Sequence, residues 1–210
     1  MTLIEVLVVS VAVLVLVAML LPAMSKTSHC TYQGFCANNL KQVGLASRVW
    51  AGDNGDKYPM EISETNGGTM EFINGPNTFR HFQVMSNELS TPRVLFCRNE
   101  SDPMRVQATN FTAFGNSNLS YFVGVDASQT NPMMILSGDR NFTNVAIVKN
   151  GLLELTANQQ IDWSPEVHEH IGNIALADGS VRQVKTKALR ELIRHSGVST
   201  NRLQMPVLGP

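Results

Sequence analysis

Residues 1–21 read MTLIEVLVVSVAVLVLVAMLL, an apolar run whose only charged side chain is that of Glu5. An apolar stretch of about 20 residues is long enough to cross a bilayer as a helix. The chain has no Lys or Arg before Lys26, and Leu20-Leu21-Pro22 is a poor cleavage site for a signal peptidase. We therefore expect this segment to be retained, with any basic leader already removed in front of Met1.

Glu5 is the unusual residue of this run. A carboxylate in hydrocarbon is costly unless it is neutralised or paired. One interpretation places Glu5 in the first turn of a helix, where the helix dipole favours an anion. Another pairs Glu5 with the α-amino group of Met1 in a neighbouring copy, which would set the axial offset between subunits. The residues alone leave both interpretations open.

Several segments of the chain match a known family. The run Met1–Val9, MTLIEVLVV, with its Glu5 and with Pro22 at the end of the apolar stretch, resembles the mature N-terminus of type IV pilins and type II secretion pseudopilins. Met1 departs from the Phe that is usual at the first position. Three further segments resemble the pilin subfamily abundant in Planctomycetes and Verrucomicrobia: CANNLKQVGLA at 36–46, ELSTPRVLFC at 88–97 and GNIALADGS at 172–180.

The resemblance implies a structural role rather than an enzymatic one. In this family a dedicated prepilin peptidase cleaves a short basic leader and N-methylates the new first residue, here Met1. The subunit rests among inner-membrane lipids until an assembly platform builds it, with other copies of itself, into a periplasmic or extracellular filament. Met1, Glu5 and Pro22 would be the assembly residues, and Pro22 would bend or loosen the helix on assembly. A surface pilus, with roles such as cell adhesion, and a type II secretion pseudopilus fit the resemblance equally.

The composition gives no support to nucleic-acid binding as the main function. The chain has 210 residues, of which 43% are hydrophobic and 16% charged, and its net charge is -1. This near-neutral balance gives no electrostatic reason to expect nucleic acid as the main partner. The competing hypothesis is a membrane-anchored periplasmic binding protein that never polymerises. Glu5 favours the filament, because a simple anchor has no use for a carboxylate inside its apolar run.

Past Pro22 the pattern becomes that of an amphipathic helix. Apolar residues recur at helical spacing, Ser47 and Arg48 fall on the opposite face, and a cluster of turn formers at 51–56 ends the helix. The apolar stripe, predicted to pack on a sheet, comprises Cys36, Leu40, Val43, Ala46, Val49 and Trp50. We divide the chain into a transmembrane or filament-core helix (1–25), its amphipathic continuation (26–52) and a β-rich globular head (53–210).

These patterns together predict an α+β fold in which the long N-terminal helix packs on an antiparallel sheet. The clearest element is a hairpin over 173–184, whose Asp178-Gly179 pair suits a tight turn with positive φ. Residues 79–89 and Lys187–His195 have the spacing of short amphipathic helices. Runs rich in β-branched and aromatic residues predict four further strands: Val94–Cys97, Leu119–Val125, Met133–Ser137 and Val145–Val148.

Three cysteines allow at most one intramolecular disulfide. The compartment that the resemblance implies is oxidising, and disulfides persist there. Cys36 and Cys97 both lie in the segments that resemble the subfamily, so the resemblance favours their pairing. A pair that contains Cys30, and the absence of any bridge, remain the alternatives. Zinc is not expected, because Cys30 and Cys36 lack the short paired spacing of structural zinc sites.

The other polar motifs form no recognisable active site, so we expect neither enzyme activity nor a cofactor. His168-Glu169-His170, flanked by Asp162 and Asp178, lacks the second ligand pair and the helical spacing of a zinc enzyme and reads as a solvated loop. Asp139 and Asp178 read as turn formers, with calcium at Asp178 as a weak alternative. Four Asn-x-Ser/Thr sequons indicate exposed polar loops, and chance explains them best in a bacterial protein: Asn99, Asn110, Asn118 and Asn141.

Overall fold

The computed structural model describes residues 2–143 and 150–208, and within the first helix the side chains of residues 19–33 lie outside this description. Four features considered above therefore fall outside the described part: Met1, the side chains of Pro22 and Cys30, and the strand expected at Val145–Val148. Helix α1 has the bounds Leu3–Asp53. Three shorter helices follow it: α2 (Thr78–Gln83), α3 (Ser86–Leu89) and α4 (Thr186–His195).

An antiparallel sheet lies at the centre of the head. The described strands are β1 (Tyr121–Gly124), β2 (Ile135–Asp139), β3 (Phe142–Thr143), β4 (Leu152–Thr156), β5 (Asp162–Trp163), β6 (Ile171–Leu176), β7 (Val181–Lys185) and β8 (Thr200–Gln204). Six of them form one sheet in the order β4-β8-β1-β2-β6-β7, in which every neighbouring pair is antiparallel. Strands β3 and β5 pair separately. The α+β class and the antiparallel sheet are confirmed.

The C-terminal part of α1 packs against one face of this sheet. Cys36, Leu40, Val43 and Trp50 are buried as predicted, but Val49 is 49% exposed, so its assignment to the core was wrong. Ser47 takes the buried position instead, and its hydroxyl donates to the carbonyl of Val43 at 2.9 Å. Steps of three and four residues carry the buried stripe through position 47, which turns position 49 toward solvent.

The turn of the hairpin between β6 and β7 also contacts the C-terminal part of α1. Gly179 has a φ of +83°, as the Asp178-Gly179 turn predicted. A Cβ on Gly44 would lie 3.4 Å from the Cα of Gly179, so the helix and the turn are in close contact. Arg48 then donates from Nη1 to the carbonyl of Asp178 at 2.8 Å. The helix and the hairpin tip are thereby held together by backbone contact as well as by apolar packing.

Helix α4 covers the opposite face of the sheet, which makes the head three layers thick. Leu189, Leu192 and Ile193 of α4 belong to a second buried apolar cluster together with Phe122 and Trp163. The apolar stripe of α1 belongs to the first cluster. Both faces of the central strands are therefore buried, which explains why β1 and β2 are buried along their whole length.

Two local predictions for the connecting segment were wrong. Residues 92–95 form a 3-10 turn rather than the strand expected at Val94–Cys97, because Pro92 occupies its first position and the Thr91 side chain accepts from the Arg93 amide. The single helix expected over 79–89 is divided into α2 and α3. This segment brings Cys97 under the helix without adding a strand to the sheet.

Candidate functional site

The first candidate site is the apolar arm, which we define as residues 2–18 of the chain. Every side chain from Thr2 to Ala18 is exposed. The large apolar side chains of the arm range from 48% exposed at Val15 and Val17 to 82% at Leu3. A helix that is apolar on all sides is stable only when protein or lipid surrounds it. The arm therefore presents an apolar surface of the kind that protein or lipid covers.

Glu5 caps the helix of the arm. The amide of Thr2 donates to Glu5 Oε2 at 2.7 Å, and the Glu5 amide donates to the hydroxyl of Thr2 at 3.4 Å. This reciprocal pair is a capping box, which satisfies two amides that the first turn of a helix leaves without partners. The carboxylate thus has a role within its own chain, which agrees with the first-turn interpretation of Glu5.

Among the residues that the structure describes, no helix is long and apolar enough to cross a membrane. The expected span ends with residues 19–21, and the structure does not describe the side chains of these three residues. The two other expected assembly features, the Met1 amine and the Pro22 side chain, also lie outside it.

The second candidate site is a buried group that we call the cysteine–histidine cluster: Cys36, Cys97, Asp139 and His168. Cys36 on α1 and Cys97 form a disulfide with their Cα atoms 5.5 Å apart, which is the pairing that the sequence analysis favoured. His168 Nε2 lies 3.4 Å from Cys97 Sγ and 3.5 Å from Asp139 Oδ2. Four separate segments of the chain therefore meet at this point.

His168 and Asp139 correct two predictions made from the sequence. His168 was expected in a solvated loop and Asp139 in a turn, but their side chains are 0% and 1% exposed. Asp139 closes β2, and its Oδ2 accepts from the amide and the Nδ2 of Asn173 at 2.7 and 2.9 Å. The neighbouring His170 is exposed, as expected, so only one histidine of the His-x-His motif enters the core.

Burial shifts the two ionisable groups of the cluster in opposite senses. It raises the pKa of the Asp139 carboxyl to about 7, against the lowering effect of the two Asn173 donors. It lowers the pKa of His168 to about 4, although the negative charge of Glu100 acts in the other direction. Both shifts have the sign expected when a charged form loses its water. His168 is therefore neutral at pH 7.

A polar network lies beside the cluster. The Glu100 side chain is 1% exposed and accepts from Arg140 and from the Ser120 hydroxyl. Arg105 bonds to the carbonyls of Leu119 and Pro206 and thereby ties the loop that follows Cys97 to the C-terminal segment. Each charge of this network has a partner, as buried ions require. The network accounts for its own charges without a ligand.

The remaining predicted polar residues are explained locally. The Asp178 carboxylate accepts from the amide of Ser180 at 2.8 Å, as a turn former does, and it is not part of any group of possible metal ligands among the described residues. The sequons do not all mark exposed loops, because Asn118 and Asn141 are buried. Asn118 donates to the carbonyl of Val106 at 2.9 Å, so its side chain completes the core.

Two concave features of the head are relevant to ligand binding. A cavity of about 10 Å³ lies between α1, α2 and the sheet, beside Val43, Ser47 and His81, and it is no larger than a water molecule needs. An open groove of about 500 Å³ runs between β7 and α4, with Arg182, Glu191 and other side chains along it. The groove is large enough for a small molecule, whereas the cavity is not.

Comparisons of this chain with protein-family models, with curated proteins and with solved structures find no match. The candidate sites therefore rest on sequence and geometry alone. Reasoning from sequence missed the roles of His168 and Asp139. The available signal was weak, since only the position of Asp139 after the strand pattern at 133–137 hinted that its side chain ends a buried strand.

Proposed function

We propose that the chain is a structural subunit of a helical filament of the type IV pilus or secretion pseudopilus kind. The observation that carries this proposal is the apolar arm, whose side chains from Thr2 to Ala18 are all exposed. In the filament, arms from many copies would bundle into a core, while the heads would form the outer surface. Such a contact between copies is heterologous and does not close, so it grows into a fibre rather than a ring.

In this proposal the arm, helix α1 and the head each have a separate role. Before assembly the arm and the residues that follow it would rest in the inner membrane, and afterwards the same surface would be buried among other arms. Helix α1 would join this core to the head, with Pro22 bending or loosening it on assembly. In the head, the stripe around Leu40 and Val43 packs on the sheet. The head would supply rigidity and surface identity in the periplasm or outside the cell.

The second candidate function is a membrane-anchored binding protein that stays monomeric. Two observations favour it: Glu5 is already used in the capping box with Thr2, and the groove between β7 and α4 could accept a small ligand. The two functions differ in what they demand of Glu5. A filament subunit needs its negative charge for a neighbouring amine, whereas an anchor needs only a cap for the helix.

Substitutions at Glu5 and Thr2 separate these demands. The amide oxygen of Gln accepts the Thr2 hydrogen bond as Glu does, but it carries no charge. We expect Glu5→Gln and Glu5→Ala both to leave the subunit in the membrane fraction and to abolish filaments. Thr2→Ala removes the side-chain half of the capping box and keeps the charge, so filaments should still form.

The measurement is electron microscopy and immunoblotting of material sheared from cells that carry the assembly machinery, beside immunoblots of their membranes. A normal filament yield from Glu5→Gln would refute charge pairing in assembly. If the unmodified chain reaches the membrane with that machinery present and yields no filaments, the anchor function replaces the filament. Loss of filaments in Thr2→Ala as severe as in Glu5→Gln would show that assembly needs the capping box as well as the charge of Glu5.

A further inference from the structure

The cysteine–histidine cluster contains metal-ligating atoms that the filament proposal does not use. Cys36 Sγ, Cys97 Sγ and His168 Nε2 all lie within 4.8 Å of one another, and Asp139 Oδ2 is 3.5 Å from His168 Nε2. We propose that, once the disulfide is reduced, these four side chains bind one zinc ion. The head then exists in either a disulfide form or a zinc form, and both forms join α1 to the sheet at the same place.

The spacing of the ligand atoms suits zinc. Tetrahedral zinc with bonds of about 2.0 to 2.3 Å places its ligand atoms about 3.3 to 3.8 Å apart. The distances of 3.4 Å from His168 Nε2 to Cys97 Sγ and 3.5 Å to Asp139 Oδ2 fall in this range. Breaking the disulfide lets the two sulfur atoms separate. The Asp139 carboxylate, which lies outside the group of atoms within 4.8 Å of one another, must move toward them to become the fourth ligand.

Burial and unsatisfied polar atoms also indicate a ligand. The side chains of His168 and Asp139 are at most 1% exposed, and both cysteines are 0% exposed. Among the described residues, Asp139 Oδ1 and His168 Nδ1 have no hydrogen-bond partner. These two atoms are not the proposed ligand atoms, which are Asp139 Oδ2 and His168 Nε2, but a bound cation would offset the cost of burying the Asp139 charge. Asn173 meanwhile holds Oδ2 by two hydrogen bonds, as outer residues of metal sites commonly do.

The two forms exclude each other because they use the same sulfur atoms. In the disulfide each sulfur is bonded to the other and offers no thiolate. Reduction by a phosphine and water adds two electrons and two protons to the disulfide, giving two thiols and a phosphine oxide. Zinc then displaces the two thiol protons and binds the thiolates, with neutral His168 and the Asp139 carboxylate as the other ligands. A two-electron oxidant such as dioxygen, itself reduced with two protons to hydrogen peroxide, would re-form the disulfide from the two thiolates and release the ion.

Metal titration of the full-length chain in detergent tests the proposal. The Cys30→Ser background leaves Cys36 and Cys97 as the only thiols. After reduction by a phosphine and removal of metals, we expect one equivalent of Co²⁺ to bind, with a thiolate charge-transfer band and the visible bands of tetrahedral cobalt. Zinc should displace the cobalt. The oxidised chain should give none of these bands.

The two histidines of the His-x-His motif provide a matched pair of variants. His168→Asn should weaken zinc binding by more than about 100-fold, beyond the loss caused by changing an outer-shell residue. His170→Asn changes an exposed side chain two residues away and should leave the affinity within about threefold of the reference, since it removes no ligand. Equal affinities in the two variants would overturn the assignment.

Two measurements keep the test decisive if a variant or the reduced chain is poorly folded. Zinc-edge X-ray absorption on the reduced, zinc-loaded reference chain needs no histidine variant and should give two sulfur and two nitrogen or oxygen scatterers. Any other sulfur count refutes the ligand set. If reduction unfolds the head, zinc should restore its circular dichroism spectrum. Failure to restore it, or absence of Co²⁺ binding by a folded reduced chain, refutes the proposal.

Discussion

His81 should make the head sensitive to acid. This side chain on α2 is 2% exposed and lies between two partners at 2.7 Å: its Nδ1 faces the Thr69 hydroxyl and its Nε2 faces Gln204 Oε1. Gln204 uses its own NH₂ group for the carbonyls of Phe72 and Gly75. Its Oε1 is thus the acceptor for His81 Nε2–H, and Nδ1 accepts from Thr69, which makes the imidazole neutral.

The size of the effect follows from the shift in pKa. Burial lowers the pKa of His81 from 6.5 to about 4. Between these values the unfolded chain binds a proton that the folded chain does not, so stability falls as the pH falls. The contribution of His81 is fully present above about pH 6.5, and about 2 kcal/mol of it is lost by about pH 5 and about 3 kcal/mol by about pH 4.

The pH dependence of wild-type stability alone would not isolate the contribution of His81. The lowered pKa of His168 acts in the same direction, whereas the raised pKa of Asp139 makes the folded state the better proton binder and opposes it. Comparison with His81→Gln cancels both, because a Gln can donate to Gln204 and accept from Thr69 without titrating. The destabilisation caused by His81→Gln should shrink by about 3 kcal/mol between about pH 7 and about pH 4.

Urea unfolding of the full chain in detergent, followed by tryptophan fluorescence, measures this difference. His170→Gln is the matched control, since it makes the same replacement at an exposed histidine. A stability difference between wild type and His81→Gln that does not change with pH would refute the reasoning. It would mean that water reaches the imidazole or that its partners rearrange on protonation.

Two further predictions concern the packing of the head. The Cys36→Ala/Cys97→Ala variant removes a crosslink between residues 61 apart in sequence and should lower the free energy of unfolding by about 4 kcal/mol, measured in urea against the oxidised wild type; a loss below about 1 kcal/mol would contradict it. Gly172→Ala should lower the free energy of unfolding by about 1 to 3 kcal/mol, because its Cβ would lie 2.3 Å from the Trp163 ring. A Cβ on Gly34 would meet no atom within 4 Å, so Gly34→Ala should stabilise the helix by up to about 1 kcal/mol. Equal effects of the two glycine variants on the urea midpoint would show that the Trp163 ring yields freely.

Local patterns predicted the elements whose signals lie within a few residues. The Asp178-Gly179 pair specified the β6–β7 hairpin, and the spacing at Lys187–His195 specified α4. Both depend on short-range chemistry, namely positive φ in a tight turn and an apolar stripe on one helix face. The buried stripe of α1 was predicted for the same reason, apart from the exchange of Val49 for Ser47.

Strand β8 was missed because its polar residues are satisfied from far along the chain. It lies between β4 and β1, inside the sheet, yet Asn201 and Gln204 are buried in it. Gln204 is bonded to His81, Phe72 and Gly75, residues more than a hundred positions earlier. No local pattern reveals such partners, so a buried polar strand reads as a loop. The same reason explains His168 and Asp139, whose burial depends on packing between four segments.

The place of the Cys36–Cys97 disulfide bears on how a filament subunit would withstand force. Cys36 is the first buried residue of α1 among those whose side chains are described, and Gly34 and Phe35 just before it are exposed. In the proposed filament, tension on the apolar arm would reach the head there and begin to peel the helix from the sheet. A covalent crosslink at that first contact takes the load before the packing of Leu40, Val43 and Trp50 does. Zinc at the same position would hold the helix by metal–ligand bonds that reoxidation exchanges for a disulfide, so the head would stay joined to α1 in both forms.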